Sequence, residues 1–279
     1  MTLTRTILAV AAVGVAAMLA CHGAGAAESE SPPQLKWSFA GPFGLYDEAQ
    51  LQRGFKVYRE VCQNCHGLSL LAFYNLADPG GPGYSAAQAT AIAGEYQVTD
   101  GPNDQGEMFQ RPGRAADHFP PPFPNEQAAR VRYNAVPPDF SVIAKARTYE
   151  RGFPWFVIDM FSQYQEHGVD YIAAYVNGYE DAPSGFNLPD GSYYNKYFPG
   201  HSTAMPKPLV DGQVDYTDGT PAKGEQYAKD VSAFLMWVAE PHLEVRKRIG
   251  FQVMIFLIVF AGLLYFTKKK VWAEVGGHA

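Results

Sequence analysis

Two thiols and an imidazole stand together in Cys62-Gln63-Asn64-Cys65-His66. The two-residue gap lets both sulfurs reach one edge of a macrocycle and add across the two vinyl groups of a haem. His66 follows directly, so its imidazole falls under the ring, within reach of the iron. This spacing points to one covalently attached haem c. Two other chemistries also use paired cysteines. A structural zinc site needs a second ligand pair, and the remaining cysteine, Cys21, lies in a segment expected to be removed. A thioredoxin-type dithiol needs a βαβ setting, whereas the flanks of this motif read as helix.

An electron-transfer haem usually fills both axial positions, and a thioether opposite histidine favours the reduced iron. The chain has seven methionines. Met1 and Met18 belong to the leader, Met236 to a terminal helix and Met254 to an apolar span, and Met160 reads as helix core. Met108 remains, together with Met205. The latter sits in Tyr197-Phe198-Pro199-Gly200-His201-Ser202-Thr203-Ala204-Met205-Pro206-Lys207-Pro208, where prolines stiffen the loop enough to hold one side chain over a ring. His201 is a rival ligand in the same loop, and spacing alone leaves both open. His118 is left without a role.

Helices must position these groups. Asp47-Glu48-Ala49-Gln50 reads as a capping box, and Leu51, Phe55, Tyr58 and Val61 recur at helical spacing behind it. The haem motif closes that helix, and Gly67 helps to stop it. Ser85-Ala86-Ala87-Gln88 is a second capping box, leading a helix to about Tyr96. No period is visible from Thr99 to Gln127, and Phe119-Pro120-Pro121-Pro122-Phe123-Pro124 excludes helix and central strand. Pro137-Pro138-Asp139-Phe140-Ser141 is expected to start a helix through Arg147. Further helices are expected over Pro154–Glu166 and Asp170–Val176, and a loop over Asn187–Pro221. Tyr227, Val231, Phe234, Leu235 and Val238 form a clear stripe in Lys223–Ala239, and Pro241 breaks the chain after it.

The ends read as targeting and anchoring segments. Arg5, the apolar run Ile7–Ala20 and Ala24-Gly25-Ala26 have the order of a secretory signal peptide over residues 1–26. Ile249–Phe266 is 18 residues without a charge, about 27 Å as a helix and close to a bilayer core. Arg246-Lys247-Arg248 and Lys268-Lys269-Lys270 flank it. The expected organisation is signal 1–26, haem domain 27–241, transmembrane anchor 242–268 and cytoplasmic tail 269–279. Export places the body in the periplasm and makes the protein single-pass in a bacterial inner (cytoplasmic) membrane. Residues 27–245 hold 15 Lys and Arg against 27 Asp and Glu, a net charge of −12. Such a body argues against nucleic acid and for a basic partner.

Four blocks in this order, followed by an anchor, resemble the cytochrome c1 family, the haem subunits of quinol–cytochrome c reductase (cytochrome bc1) complexes. The blocks are Val61-Cys62-Gln63-Asn64-Cys65-His66, Val136-Pro137-Pro138-Asp139-Phe140-Ser141 with Lys145-Ala146-Arg147, Tyr197-Phe198-Pro199-Gly200 with Ala204-Met205-Pro206, and Ala228-Lys229-Asp230-Val231 running to Arg246-Lys247-Arg248. The resemblance implies a mainly α, class I cytochrome c-like haem domain with long loop insertions and one C-terminal transmembrane helix. It implies Met205 as sixth ligand opposite His66, Arg147 at a haem propionate, and Pro137 and Pro138 along the haem pocket. It also implies cytochrome b and a Rieske iron–sulfur protein as partners in one membrane complex, and a basic soluble cytochrome c as electron acceptor. The extra disulfide of some bacterial members cannot form here. Two other readings compete: an anchored cytochrome c serving a terminal oxidase, and a haem enzyme with an open sixth position.

Overall fold

Asp47 opens the first helix, α1 (Glu48–Val57), in a computed structural model that describes residues 29–149, 154 and 167–273. The expected capping box is only half formed. Asp47 accepts from the Gln50 N–H at 3.1 Å, but the Gln50 side chain turns away to Asp230 at 3.2 Å. The reason is tertiary: α1 lies against the helix α6 (Gly224–Ala239), whose backbone comes very close. A Cβ on Gly54 would stand 2.1 Å from the Asp230 carbonyl oxygen, so only glycine permits the approach.

The two apolar stripes expected from sequence meet at this crossing. Leu51, Phe55 and Tyr58 are buried on one side, and Tyr227, Val231, Phe234, Leu235 and Val238 on the other. The Phe55 and Phe234 rings lie 5.4 Å apart, and those of Tyr58 and Phe234 6.0 Å apart. Each such side chain contributes about 1.5–3 kcal/mol by leaving water. Asp230 is fully buried in the middle and is answered there. Arg53 Nε donates to it at 3.0 Å and Gln226 Nε2 at 2.8 Å.

Around this pair the remaining helices are short: α2 (Ala86–Gly94), α3 (Glu126–Tyr133), α4 (Ile143–Ala146) and α5 (His167–Asn177). The Ser85/Gln88 capping box of α2 is complete in both directions. Helix α5 packs on both α4 and α6, and a Cβ on Gly168 would stand 1.9 Å from the Ala144 carbonyl oxygen. Buried Asp170 of α5 accepts from the Leu35 N–H at 3.0 Å and from Trp37 Nε1 at 2.7 Å, which ties the N-terminal segment to the core.

Three stretches differ from expectation. Between Thr99 and Gln127 the chain forms an antiparallel hairpin, β1 (Gln97–Asp100) with β2 (Phe109–Pro112), paired Gln97 to Pro112. Asn125 then caps α3 by accepting from the Ala128 N–H at 2.9 Å. The helix expected from Pro137 through Arg147 is confined to α4. Pro138 holds Pro137 extended, and Asp139 and Ser141 accept from Ser69 and Leu70, in the segment after the haem motif, instead of capping a helix. Within Asn187–Pro221, β3 (Tyr193–Tyr194) pairs antiparallel with β4 (Ser202–Thr203). The signal peptide, the Pro154–Glu166 helix with Met160, and the tail beyond residue 273 lie outside the described residues.

After Glu240-Pro241-His242 the chain enters α7 (Leu243–Val271), 29 residues and about 43 Å long. Leu243 is buried in the body, but from Ile249 to Phe266 the large apolar side chains of α7 stand exposed. Among the described residues this is the one helix long and apolar enough to cross a membrane. It starts one residue after the expected anchor and ends three beyond it.

The α1–α6 crossing generates a stability prediction. Asp230→Ala removes the buried acceptor shared by Arg53, Gln50 and Gln226, leaves Arg53 with Asp218 alone, and should cost about 1–3 kcal/mol. Urea unfolding of the detergent-solubilised protein checks this; a cost under about 1 kcal/mol would show that the carboxylate is dispensable.

Candidate functional site

The last turn of α1 widens into a π-turn over Tyr58–Cys62, where the Gln63 N–H donates to the Tyr58 carbonyl at 2.9 Å. Cys62 then receives two main-chain bonds on its carbonyl, from Cys65 N–H at 3.1 Å and from His66 N–H at 2.9 Å. One tight turn thus carries both cysteines and the histidine. Tyr58 Oη closes it from the core side by donating to the His66 carbonyl at 2.9 Å, and Tyr96 Oη donates to Gln63 Oε1 at 2.7 Å. Neither thiol is in a disulfide, and both are half-buried.

Burial pushes the Cys62 thiol up to about 12, with the neighbouring Cys65 adding to the shift. A redox dithiol or a zinc thiolate requires the opposite shift. The Cys62 sulfur is therefore suited to an uncharged thioether.

His66 is 7 % exposed, and its orientation is fixed. Its Nδ1 lies 2.8 Å from the Pro138 carbonyl oxygen. A carbonyl can only accept, so the proton sits on Nδ1 and the Nε2 lone pair is free for a metal. Burial lowers the pKa of the ring, against smaller opposing effects of the Pro138 carbonyl and Asp139, which keeps it neutral. The Phe140 ring stacks on the imidazole at 3.9 Å and 14°.

The segment that supplies Pro138 and Phe140 is stitched to the one that follows the motif. Phe140 N–H donates to the Gly67 carbonyl at 2.8 Å, Ser69 N–H to Asp139 Oδ2 at 2.9 Å, and Leu70 N–H to Ser141 Oγ at 3.0 Å. Cys62, Cys65, His66 and Pro138 are thus brought together directly, with Pro137 next in chain. The contribution of Pro138 is its carbonyl oxygen, which no side-chain pattern announces.

Met205 is half-buried in the loop after β4. Its N–H donates to Thr203 Oγ1 at 3.3 Å, and its carbonyl accepts from Tyr179 Oη at 3.0 Å. Thr203 Oγ1 in turn lies 2.7 Å from Tyr175 Oη on α5. Buried Asn195 shapes the preceding turn, donating Nδ2 to the Tyr175 carbonyl at 2.7 Å and N–H to the His201 carbonyl at 3.0 Å. The rival ligand His201 sits in the same loop, and its main-chain partner is again at Nδ1. Its Nδ1 lies 3.2 Å from the Asn195 carbonyl, and its ring stacks on Tyr194 at 5.4 Å. Met236 is buried in α6, and Met108 is exposed beside the hairpin.

Arg147 is exposed at the end of α4 and lines a hollow of about 400 Å³ with Tyr149, Tyr171, Tyr197, Phe198 and Pro199. It shares that hollow with the segment leading to Met205. Helix α5 is the common support, because Tyr175 holds the Met205 loop and Gly168 abuts the Arg147 carbonyl. His118 places Nδ1 2.7 Å from the Ser69 carbonyl. Sequence reasoning missed Tyr175, Tyr179, Thr203 and Asn195. The four-residue spacing of Tyr171, Tyr175 and Tyr179 was the one signal available for them.

The donor set on this turn fits a haem c: two unbridged thiols and a buried imidazole with Nε2 free. Comparison with known proteins agrees. Residues 37–275 match the model of the Cytochrome C1 family. The chain is 65 % identical to "Cytochrome b/c1" of Bradyrhizobium diazoefficiens over 88 % of its own length, and it spans 36 % of that longer protein. It is 54 % identical to cytochrome c1 of Blastochloris viridis, covering 90 % of this chain and 89 % of the relative. It is 39 % identical to cytochrome c1 of Rhodospirillum rubrum, covering 97 % and 98 %. The turn that presents two thiols and an oriented imidazole, and a match over most of the length, place this chain in the cytochrome c1 family, electron-transport proteins that carry covalently bound haem c.

Proposed function

We propose that the chain relays single electrons in a quinol–cytochrome c reductase complex, from a Rieske iron–sulfur protein to a soluble cytochrome c. Haem c supplies the one-electron centre; the chain's residues hold it and set its surroundings. Cys62 and Cys65 bind it as thioethers. His66 ligates through Nε2, held in the required tautomer by the Pro138 carbonyl. Met205, on a loop braced by Tyr175 and Tyr179, would supply the second protein ligand. Arg147 pairs with a propionate, for which a permanently charged guanidinium is suited. Pro137 and Pro138 line the pocket. A haem held by both His66 and Met205 would leave no place for a substrate at the metal, and its chemistry would be one-electron transfer.

The observation that carries this reading is the locked imidazole beside the paired thiols. Complex membership draws support from the relative named "Cytochrome b/c1", a name that joins cytochrome b to cytochrome c1. On this reading residues 1–26 are the signal, 27–241 the periplasmic haem domain, 242–268 the anchor and 269–279 the cytoplasmic tail, so the body faces the acceptor outside the cytoplasmic membrane. Its net charge of −12 over residues 27–245 draws in a basic cytochrome.

Two outcomes test the ligand set and the steering. Met205→Leu should abolish the weak sulfur-to-iron band at the red edge of the ferric spectrum. It should also lower the potential by a sizeable part of the roughly 0.8 V range that axial ligands span. An unchanged spectrum and potential would remove Met205 as ligand and bring His201, or an open-site haem enzyme that binds carbon monoxide readily, to the front. Electron transfer to a basic cytochrome c should slow about tenfold or more between ionic strengths of roughly 0.01 M and 1 M. Stopped-flow kinetics measure this, and a flat salt profile would count against steering. Co-purification with cytochrome b and a Rieske protein separates the complex from an anchored cytochrome serving a terminal oxidase.

A further inference from the structure

Between Trp37 and Tyr46 the chain carries two large apolar side chains that the fold leaves outside. Phe43 is 72 % and Leu45 57 % exposed, whereas Trp37, Phe39 and Tyr46 are buried. The loop that presents them is clamped to the root of α7. Tyr46 N–H donates to Glu244 Oε1 at 2.7 Å, and Lys247 Nζ donates to the carbonyls of Phe39 at 2.5 Å and Gly44 at 3.2 Å. The loop can close this tightly because of its glycines. Gly41 has φ +73°, and a Cβ on Gly44 would stand 2.1 Å from the Ala40 carbonyl oxygen. The exposure of Phe43 and Leu45 is therefore held by three bonds and two glycines.

The place where they are held supplies the occupant. The Phe43 ring meets Phe251 of α7 edge-on at 5.5 Å. Phe251 is the third residue of the uncharged stretch Ile249–Phe266, so it lies about 3 Å below the start of that stretch. Lys247 and Arg248 sit about one turn above, at headgroup level, and aromatic rings favour the boundary between headgroups and acyl chains. Phe43 shares the depth of Phe251, and the loop's exposed apolar surface meets that of α7 at this ring pair.

We propose that residues 41–45 form a second membrane contact, with Phe43 and Leu45 inserted at the headgroup–acyl boundary of the leaflet that α7 enters first. The occupant is phospholipid. Attachment at two points, α7 and this loop, fixes the tilt of the body and so the direction in which its haem faces. The inference rests on α7 being a membrane span, and the test separates the two.

Nitroxide labels are placed at Phe43→Cys, Leu45→Cys, Phe256→Cys within α7 and Val131→Cys, which is 90 % exposed on α3. The holoprotein in its complex is reconstituted in phospholipid nanodiscs, with the parent protein labelled in parallel as background. Spin relaxation is compared for oxygen, which concentrates in acyl chains, and for a water-soluble nickel chelate. Labels at 43 and 45 should follow the label at 256, relaxed mainly by oxygen, with the ratio reversed at 131. Nickel access at 43 and 45 with oxygen access at 256 would overturn the second contact alone. Immobile labels at 43 and 45 reached by neither reagent would show a protein partner there and overturn it too. Nickel access at 256 would overturn the span and the proposal together.

Discussion

The hydrogen bond between His66 Nδ1 and the Pro138 carbonyl joins segments 72 residues apart, and the site depends on it. A Cys-x-x-Cys-His turn alone delivers thiols and an imidazole to one place. It does not decide which ring nitrogen carries the proton, nor which way the ring faces. The carbonyl decides both, because it accepts and cannot donate. Three more bonds, from Phe140, Ser69 and Leu70 N–H groups, hold the carbonyl-bearing segment in register with the turn. The Phe140 ring then presses on the imidazole face and keeps water off one side.

The rest of the body keeps these two segments in place. The close backbone approach at Gly54 binds α1 to α6, so the turn at the end of α1 starts from a fixed position. Helix α6 also carries α5, and α5 carries both α4 and the Met205 loop. The His66 side and the Met205 side are thus braced from one helix pair. Buried Asp230 is answered by Arg53 of α1, and buried Asp170 by Leu35 and Trp37 of the N-terminal segment, which specifies which segments meet.

Much of this was legible in the residues, and for physical reasons. Helices α1, α2, α6 and α7 announce themselves because each has an apolar stripe, a capping residue or an unbroken apolar run. The hairpin and α3 do not. Both hairpin strands are largely exposed, and in α3 only Ala129 is buried, so no periodic pattern is required of either. The helix expected from Pro137 fails because Asp139 and Ser141, residues that often cap helices, bond to Ser69 and Leu70 instead. At the site, the cysteines and His66 were readable because their side chains carry the chemistry, whereas the residues alone left Met205 and His201 both open. The Pro138 carbonyl was not readable, since every residue has one. Gln50 shows the same limit: it fits a capping box locally, and a buried carboxylate 180 positions away takes its side chain.

The most direct test of the account is NMR of the ferrous holoprotein with ¹⁵N-labelled histidine and ¹³C-methyl-labelled methionine. The account predicts one histidine, His66, with its proton on Nδ1, protected from exchange and not titrating. It also predicts one methionine methyl, assigned to Met205 by substitution, shifted far upfield by the ring current of the haem above it. Histidines that all titrate as exposed rings, or a Met205 methyl in the ordinary range, would contradict it.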